Sequence, residues 1–144
     1  MAAAPDAPQV LCRGAHHPVV TAADTCVTDP VMKIALCIQS ADRRRGGAEG
    51  YTLDLARSLA ARNHQVTVIA ESGPEAVAET ARAAGFTCMY LGSKGRWRWP
   101  RLKEFLRRLK DVYDNHTYDI VHAMLPCWRC DVYQPHAGLA TELF

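Results

Sequence analysis

At 144 residues the chain has room for one domain with a real core, and 49% hydrophobic against 22% charged residues is an ordinary globular balance. No apolar run approaches the ~20 residues that span a bilayer, and no basic stretch followed by an apolar one marks a secretory signal. A net charge of +2 singles out no class of partner, and six scattered cysteines without a signal read as reduced thiols in a cytosolic protein.

Residues 1–31 are rich in Ala, Pro, Thr and Asp and hold no sustained period, so a disordered extension is expected there, with His16 and His17 solvated. The fold is expected to begin at Met32. Ile34, Leu36 and Ile38 lie in an almost unbroken apolar run, as a strand buried on both faces requires. Arg43, Arg44, Arg45, Gly46 and Gly47 interrupt the run, and Ala48, Tyr51, Leu55 and Leu59 then recur at helical spacing. Asn63 stands where a left-handed residue would close that helix, and 65–70 reads as the next buried strand. Strand, glycine turn, helix and strand form one βαβ unit and open a parallel sheet.

Residues 71–74 read as a turn, with Pro74 suited to the first position of a helix over 74–84 that Gly85 stops. A third strand is expected over 86–91 and a long helix over 100–115, with Leu102, Phe105, Leu106, Leu109 and Val112 on one face. Residues 118–123 and 130–134 complete the pattern as fourth and fifth strands. Strands alternating with helices define an α/β fold, a Rossmann-like open parallel sheet with helices on both faces. Cys37 and Cys88 fall in strands and read as small buried apolar residues.

The stretch Gly46-Gly47-Ala48-Glu49, the tripeptide Arg62-Asn63-His64 and the strand Val66-Thr67-Val68 together resemble the opening of the GT-B glycosyltransferases of family 4. Asp131-Val132-Tyr133 is most similar to the lipopolysaccharide core glucosyltransferases within it. The resemblance covers 32–144 and implies part of the N-terminal, acceptor-side half of a GT-B fold. The family's second Rossmann-like domain, which binds the nucleotide-sugar donor through an E-x7-E motif, has no counterpart here, so a truncated sequence is expected. The implied activity of the full enzyme is transfer of a hexose from a nucleotide-diphosphate sugar to a hydroxyl of a glycan or lipid-linked acceptor, with retention. The family requires no divalent metal or other cofactor.

Gly46 and Gly47 would let the backbone turn tightly and let a ligand reach bare amides at a helix N-terminus. On spacing alone they make an ordinary strand–helix turn; the resemblance places them near the donor's diphosphate. Arg45, with Arg43 and Arg44, offers guanidinium groups to phosphate, although a solvated loop would explain any one of the three. Glu49 reads as a helix-start acid. The segment 94–110 carries eight basic residues and one acid around two tryptophans, so Trp97, Arg98, Trp99, Arg101 and Lys103 are candidates for docking on an anionic inner-leaflet membrane. A helix that covers the sheet and wets its charged face would show the same pattern. No nucleic-acid motif accompanies the charge.

His136 follows a predicted strand at the edge where open α/β sheets bind ligands, and the resemblance makes it the catalytic candidate beside the acceptor hydroxyl or the transferring sugar. The lipopolysaccharide enzymes carry an acid close to it, where this chain has Ala137. His122, within a strand, reads as a supporting histidine. Cys127-Trp128-Arg129-Cys130 lacks the second ligand pair of a zinc site and the early helix start of a redox site, so it reads as a coincidental loop pair. A nicotinamide dehydrogenase is disfavoured by the glycine spacing, and Glu71 comes late for a ribose-binding acid. The alternative to a transferase half is a non-catalytic Rossmann-like module that docks on an anionic membrane surface or partner.

Overall fold

The structure, a computed structural model, describes residues 30–94 and 96–136. Most of the expected extension, residues 1–29, lies outside them, as do Ala137 and the residues that follow. Five strands and three helices alternate: β1 (Lys33–Ser40), α1 (Gly47–Ala60), β2 (Gln65–Ser72), α2 (Glu75–Ala83), β3 (Thr87–Tyr90), α3 (Arg98–Asn115), β4 (Ile120–Ala123) and β5 (Val132–Tyr133). The strands form one sheet in the order β3-β2-β1-β4-β5, and every pairing is parallel.

Alternation along β1 explains the layers. Ile34, Leu36 and Ile38 face α1 and α2, where they meet Leu53, Ala56 and Ala81. Ala35 and Cys37 point to the other face, against Phe105 and Leu109 of α3. A strand with both faces covered must be apolar at successive positions, which is why the run looked continuous in the sequence.

Two helix ends use the same device. Asn63 takes a φ of 66°, and the amides of Asn63 and His64 donate to the carbonyls of Ala60 and Leu59. Gly85, at φ 85°, does the same for α2, with Gly85 and Phe86 donating to Arg82 and Ala81.

Several boundaries differ from the expectation. β2 runs on to Ser72, because Ser40 pairs with Ser72 and the Ala41 amide donates to its carbonyl at 2.9 Å. Glu71 is therefore a strand residue and not part of a turn. Pro74 caps α2 from outside, and α3 starts two residues early, at Arg98. β5 keeps only two residues, since it pairs solely with His122 and Ala123. The buried side of α1 is also corrected: Thr52, Leu53 and Ala56 are buried, Ala48, Leu55 and Leu59 are partly buried, and Tyr51 is exposed.

Candidate functional site at the carboxyl edge of the sheet

In a parallel sheet every strand ends on the same edge and every following helix begins there. Here α1 and α2 lie on one face and α3 on the other, so the chain changes sides between β1 and β4. That reversal opens a crevice at the carboxyl ends of the strands, where such sheets take ligands. The loops carrying Arg45 and Gly46, Arg96 and Trp97, and His136 all leave from this edge.

The three arginines after β1 separate. Arg43 turns back to pair with Asp54 on α1. The Arg44 amide donates to Asp42 Oδ1 at 3.0 Å in a local turn. Arg45 alone reaches a basin of about 520 Å³, lined also by Gln39, Glu71, Arg96, Arg98 and Arg101. Gln39 and Glu71 alternate with Ile38 and Ala70, which face α1 and α2, so the basin belongs to the α3 side of the edge.

Glu71 organises it. With 4% of its side chain exposed, the carboxylate receives both Nη2 and Nε of Arg101, at 2.6 and 3.0 Å, along with hydrogen bonds from Ser93 and Gln39. Burial alone would raise its pKa, but the hydrogen bonds from Ser93, Arg101 and Gln39 and the guanidinium charge hold it below the usual carboxylate value. The signal was a single acid closing the apolar run 66–70, since a buried acid demands a cation. Arg101 thus departs from the outward basic face expected of it and serves the crevice instead. Trp97 and Trp99, 76% and 73% exposed, remain on the surface with Arg98 and Lys103.

Gly46 and Gly47 open α1 on the other side of the crevice. A methyl group at Gly46 would come within 2.9 Å of Glu49 Oε2, whereas one at Gly47 would meet nothing within 4 Å. Open space therefore lies beside Gly47 at the start of α1, and Glu49 folds back over Gly46 as a helix-start acid. His136 lies against Tyr51 one turn further along α1, with ring centroids 5.6 Å apart. Thus the fold brings His136, the glycine turn and Arg45 to one edge.

His122 sits in β4 opposite Leu36, half-buried, and its Nε2 has no partner among the described residues. Burial, followed by the like charge of His136, lowers its pKa against the opposing hydrogen bond of Gln134. The shift favours its neutral form. Cys127 and Cys130 are free thiols packed beneath α3, and burial pushes Cys127 up to about 11. No group of three or more His, Cys, Asp or Glu suited to a metal ion occurs among the described residues. No helix among them is long and apolar enough to cross a membrane.

An open five-stranded parallel sheet with helices on both faces and a crevice at its carboxyl edge is a Rossmann-like fold, the architecture found in one half of a GT-B glycosyltransferase. The chain belongs to Glycosyltransferase Family 4, whose model matches residues 45–133. Its fold is similar to that in the crystal structure of WaaG, a glycosyltransferase involved in lipopolysaccharide biosynthesis, with a TM-score of 0.63 at 21% identity. That match covers 76% of this chain and 28% of WaaG, so the chain spans well under half of the protein it matches. No curated protein matches the chain in sequence.

Proposed function

We propose that the chain is the acceptor-side portion of a retaining glycosyltransferase, which moves a hexose from a nucleotide-diphosphate sugar to a hydroxyl of a glycan or lipid-linked acceptor. The observation that carries this reading is the convergence of Arg45, the Gly46-Gly47 turn and His136 on the crevice of a Family 4 fold. Departure of the diphosphate leaves an oxocarbenium-like sugar. The free amides at the start of α1 and the Arg45 guanidinium are suited to hold the negative charge that develops on the leaving group. His136, whose ring lies against Tyr51, is suited to orient the acceptor hydroxyl or the transferring sugar. No cofactor is needed beyond the donor itself, and the reaction belongs in the cytoplasm, where nucleotide sugars are made.

A second feature supports docking at the inner face of an anionic membrane. Trp97 and Trp99 project from the start of α3, which also carries the exposed Lys103, a pairing of interfacial rings with a cation that suits a headgroup layer, while Arg98 lines the basin. The same patch would serve a non-catalytic docking module.

Transfer decides between enzyme and module. The protein encoded by the complete reading frame is incubated with a panel of nucleotide-diphosphate hexoses and membrane or glycan acceptors, and products are read by mass. Transfer by that protein, lowered about 100-fold by His136→Ala, is the expected result. The 144-residue chain alone should give none. Turnover by the 144-residue chain alone, or no transfer with any donor by the product of the complete reading frame, would sink the reading.

A further inference from the structure

The basin on the α3 side of the crevice is too cationic for a sugar hydroxyl alone. Arg45, Arg96, Arg98 and Arg101 face a single carboxylate, Glu71, which Arg101 already occupies with two nitrogens. Among the described residues, Arg45, Arg96 and Arg98 have no carboxylate partner within ion-pair distance. Arg98 and Arg101 also stand in the first turn of α3, which contains no acid. Positive charge at a helix N-terminus opposes the dipole, so an anion here relieves both repulsion among the guanidinium groups and repulsion from the helix.

We propose that this basin binds a phosphate monoester carried by the acceptor substrate. The inference rests on the transferase reading and names the acceptor's chemistry. Its volume lies within the roughly 300–1,000 Å³ of small-molecule pockets, which suits a phosphorylated sugar and far exceeds a lone phosphate. The choice of phosphate follows from charge: with Arg45 committed to the donor side, the unpartnered cations of the basin itself are Arg96 and Arg98, which a monoester dianion answers in full and a carboxylate only by half. Arginine forks also match phosphate oxygens in pairs. The donor's diphosphate is assigned elsewhere, because the free amides of α1 lie across the crevice on the opposite face of the sheet. Arg45, at the border, closes the basin on that side. Glu71 acts as a positioning residue, since its bonds to Arg101 and Ser93 set one wall.

The test is a titration of the 144-residue chain at constant ionic strength with glucose 6-phosphate, glucose, glucuronate and uridine diphosphate. Arginine Nε–Hε signals are followed by NMR. Glucose 6-phosphate should shift the signals of Arg96, Arg98 and Arg101 and saturate, whereas glucose and glucuronate should not. The double variant Arg96→Gln, Arg98→Gln should weaken that binding at least tenfold while its backbone spectrum outside the basin stays unchanged. Absence of a saturable shift with glucose 6-phosphate overturns the proposal. An equal response to glucuronate overturns the choice of phosphate. Tighter binding of uridine diphosphate, lost in the double variant, gives the basin to the donor instead. None of these readouts requires turnover, so failure of sugar transfer and failure of this site are separate results.

Discussion

A carboxylate kept from water persists only where donors replace its hydration, and Glu71 has them from Ser93, Arg101 and Gln39. Because its folded pKa lies below the ordinary 4.5, the stability it contributes is complete above that value. It drains away as pH falls through the lower folded pKa. Glu71→Gln should cost about 1–2 kcal/mol at pH 7, a modest figure because Arg101 is nearly half exposed and can rehydrate. Urea denaturation of both proteins between pH 7 and pH 3 should show the gap closing below pH 4.5; a gap that is constant with pH would mean that the carboxylate's charge is not what stabilises it. In the sequence Glu71 stood out only as an acid at the end of an apolar run. Its role depends on Ser93 and Arg101, which lie 22 and 30 residues away, and no local pattern reports such a meeting.

At the scale of elements, α3 holds two functions on opposite sides. Phe105 and Leu109 are almost wholly buried against Ala35, Cys37 and Ile69, while Trp97 and Trp99 at its start are exposed. Phe105→Ala should cost about 3–5 kcal/mol, and Trp99→Ala should stay within about 0.5 kcal/mol, both measured by urea denaturation. A comparable loss at both positions would contradict this division. The apolar face of α3 was legible because five large side chains repeat at helical spacing and nothing competes with them. On α1 the expected stripe was right in part: Ala48, Leu55 and Leu59 pack against the core, but Tyr51 does not, because two overlapping stripes fit the sequence. Tertiary contact chose Thr52, Leu53 and Ala56, and the Thr52 hydroxyl is satisfied by donating to the Ala48 carbonyl at 2.8 Å. Tyr51 instead lies against His136, 85 positions along the chain, a contact invisible to periodicity. The strands of the parallel sheet were easier, since burial on both faces leaves long apolar runs, yet their ends depended on neighbours, as Ser72 did on Ser40.

The whole molecule is built outward from one pair of strands. β1 and β2 have eight residues each, β3 and β4 four, and β5 two. The crevice forms where this taper begins, between β1 and β4, so a rigid floor carries loops of diminishing support. The taper sets a gradient of local opening. Amide protons of Leu36 and Val68 should exchange with solvent only through unfolding of the entire sheet, at the global free energy, whereas the Gln134 amide, which donates to Ala123 at the margin, should exchange through fraying at a small fraction of it. Native-state deuterium exchange in dilute denaturant measures the sequence of release. Equal protection of Val68 and Gln134 would show a single cooperative unit; graded protection means that the His136 side of the crevice moves against a stationary Glu71 side.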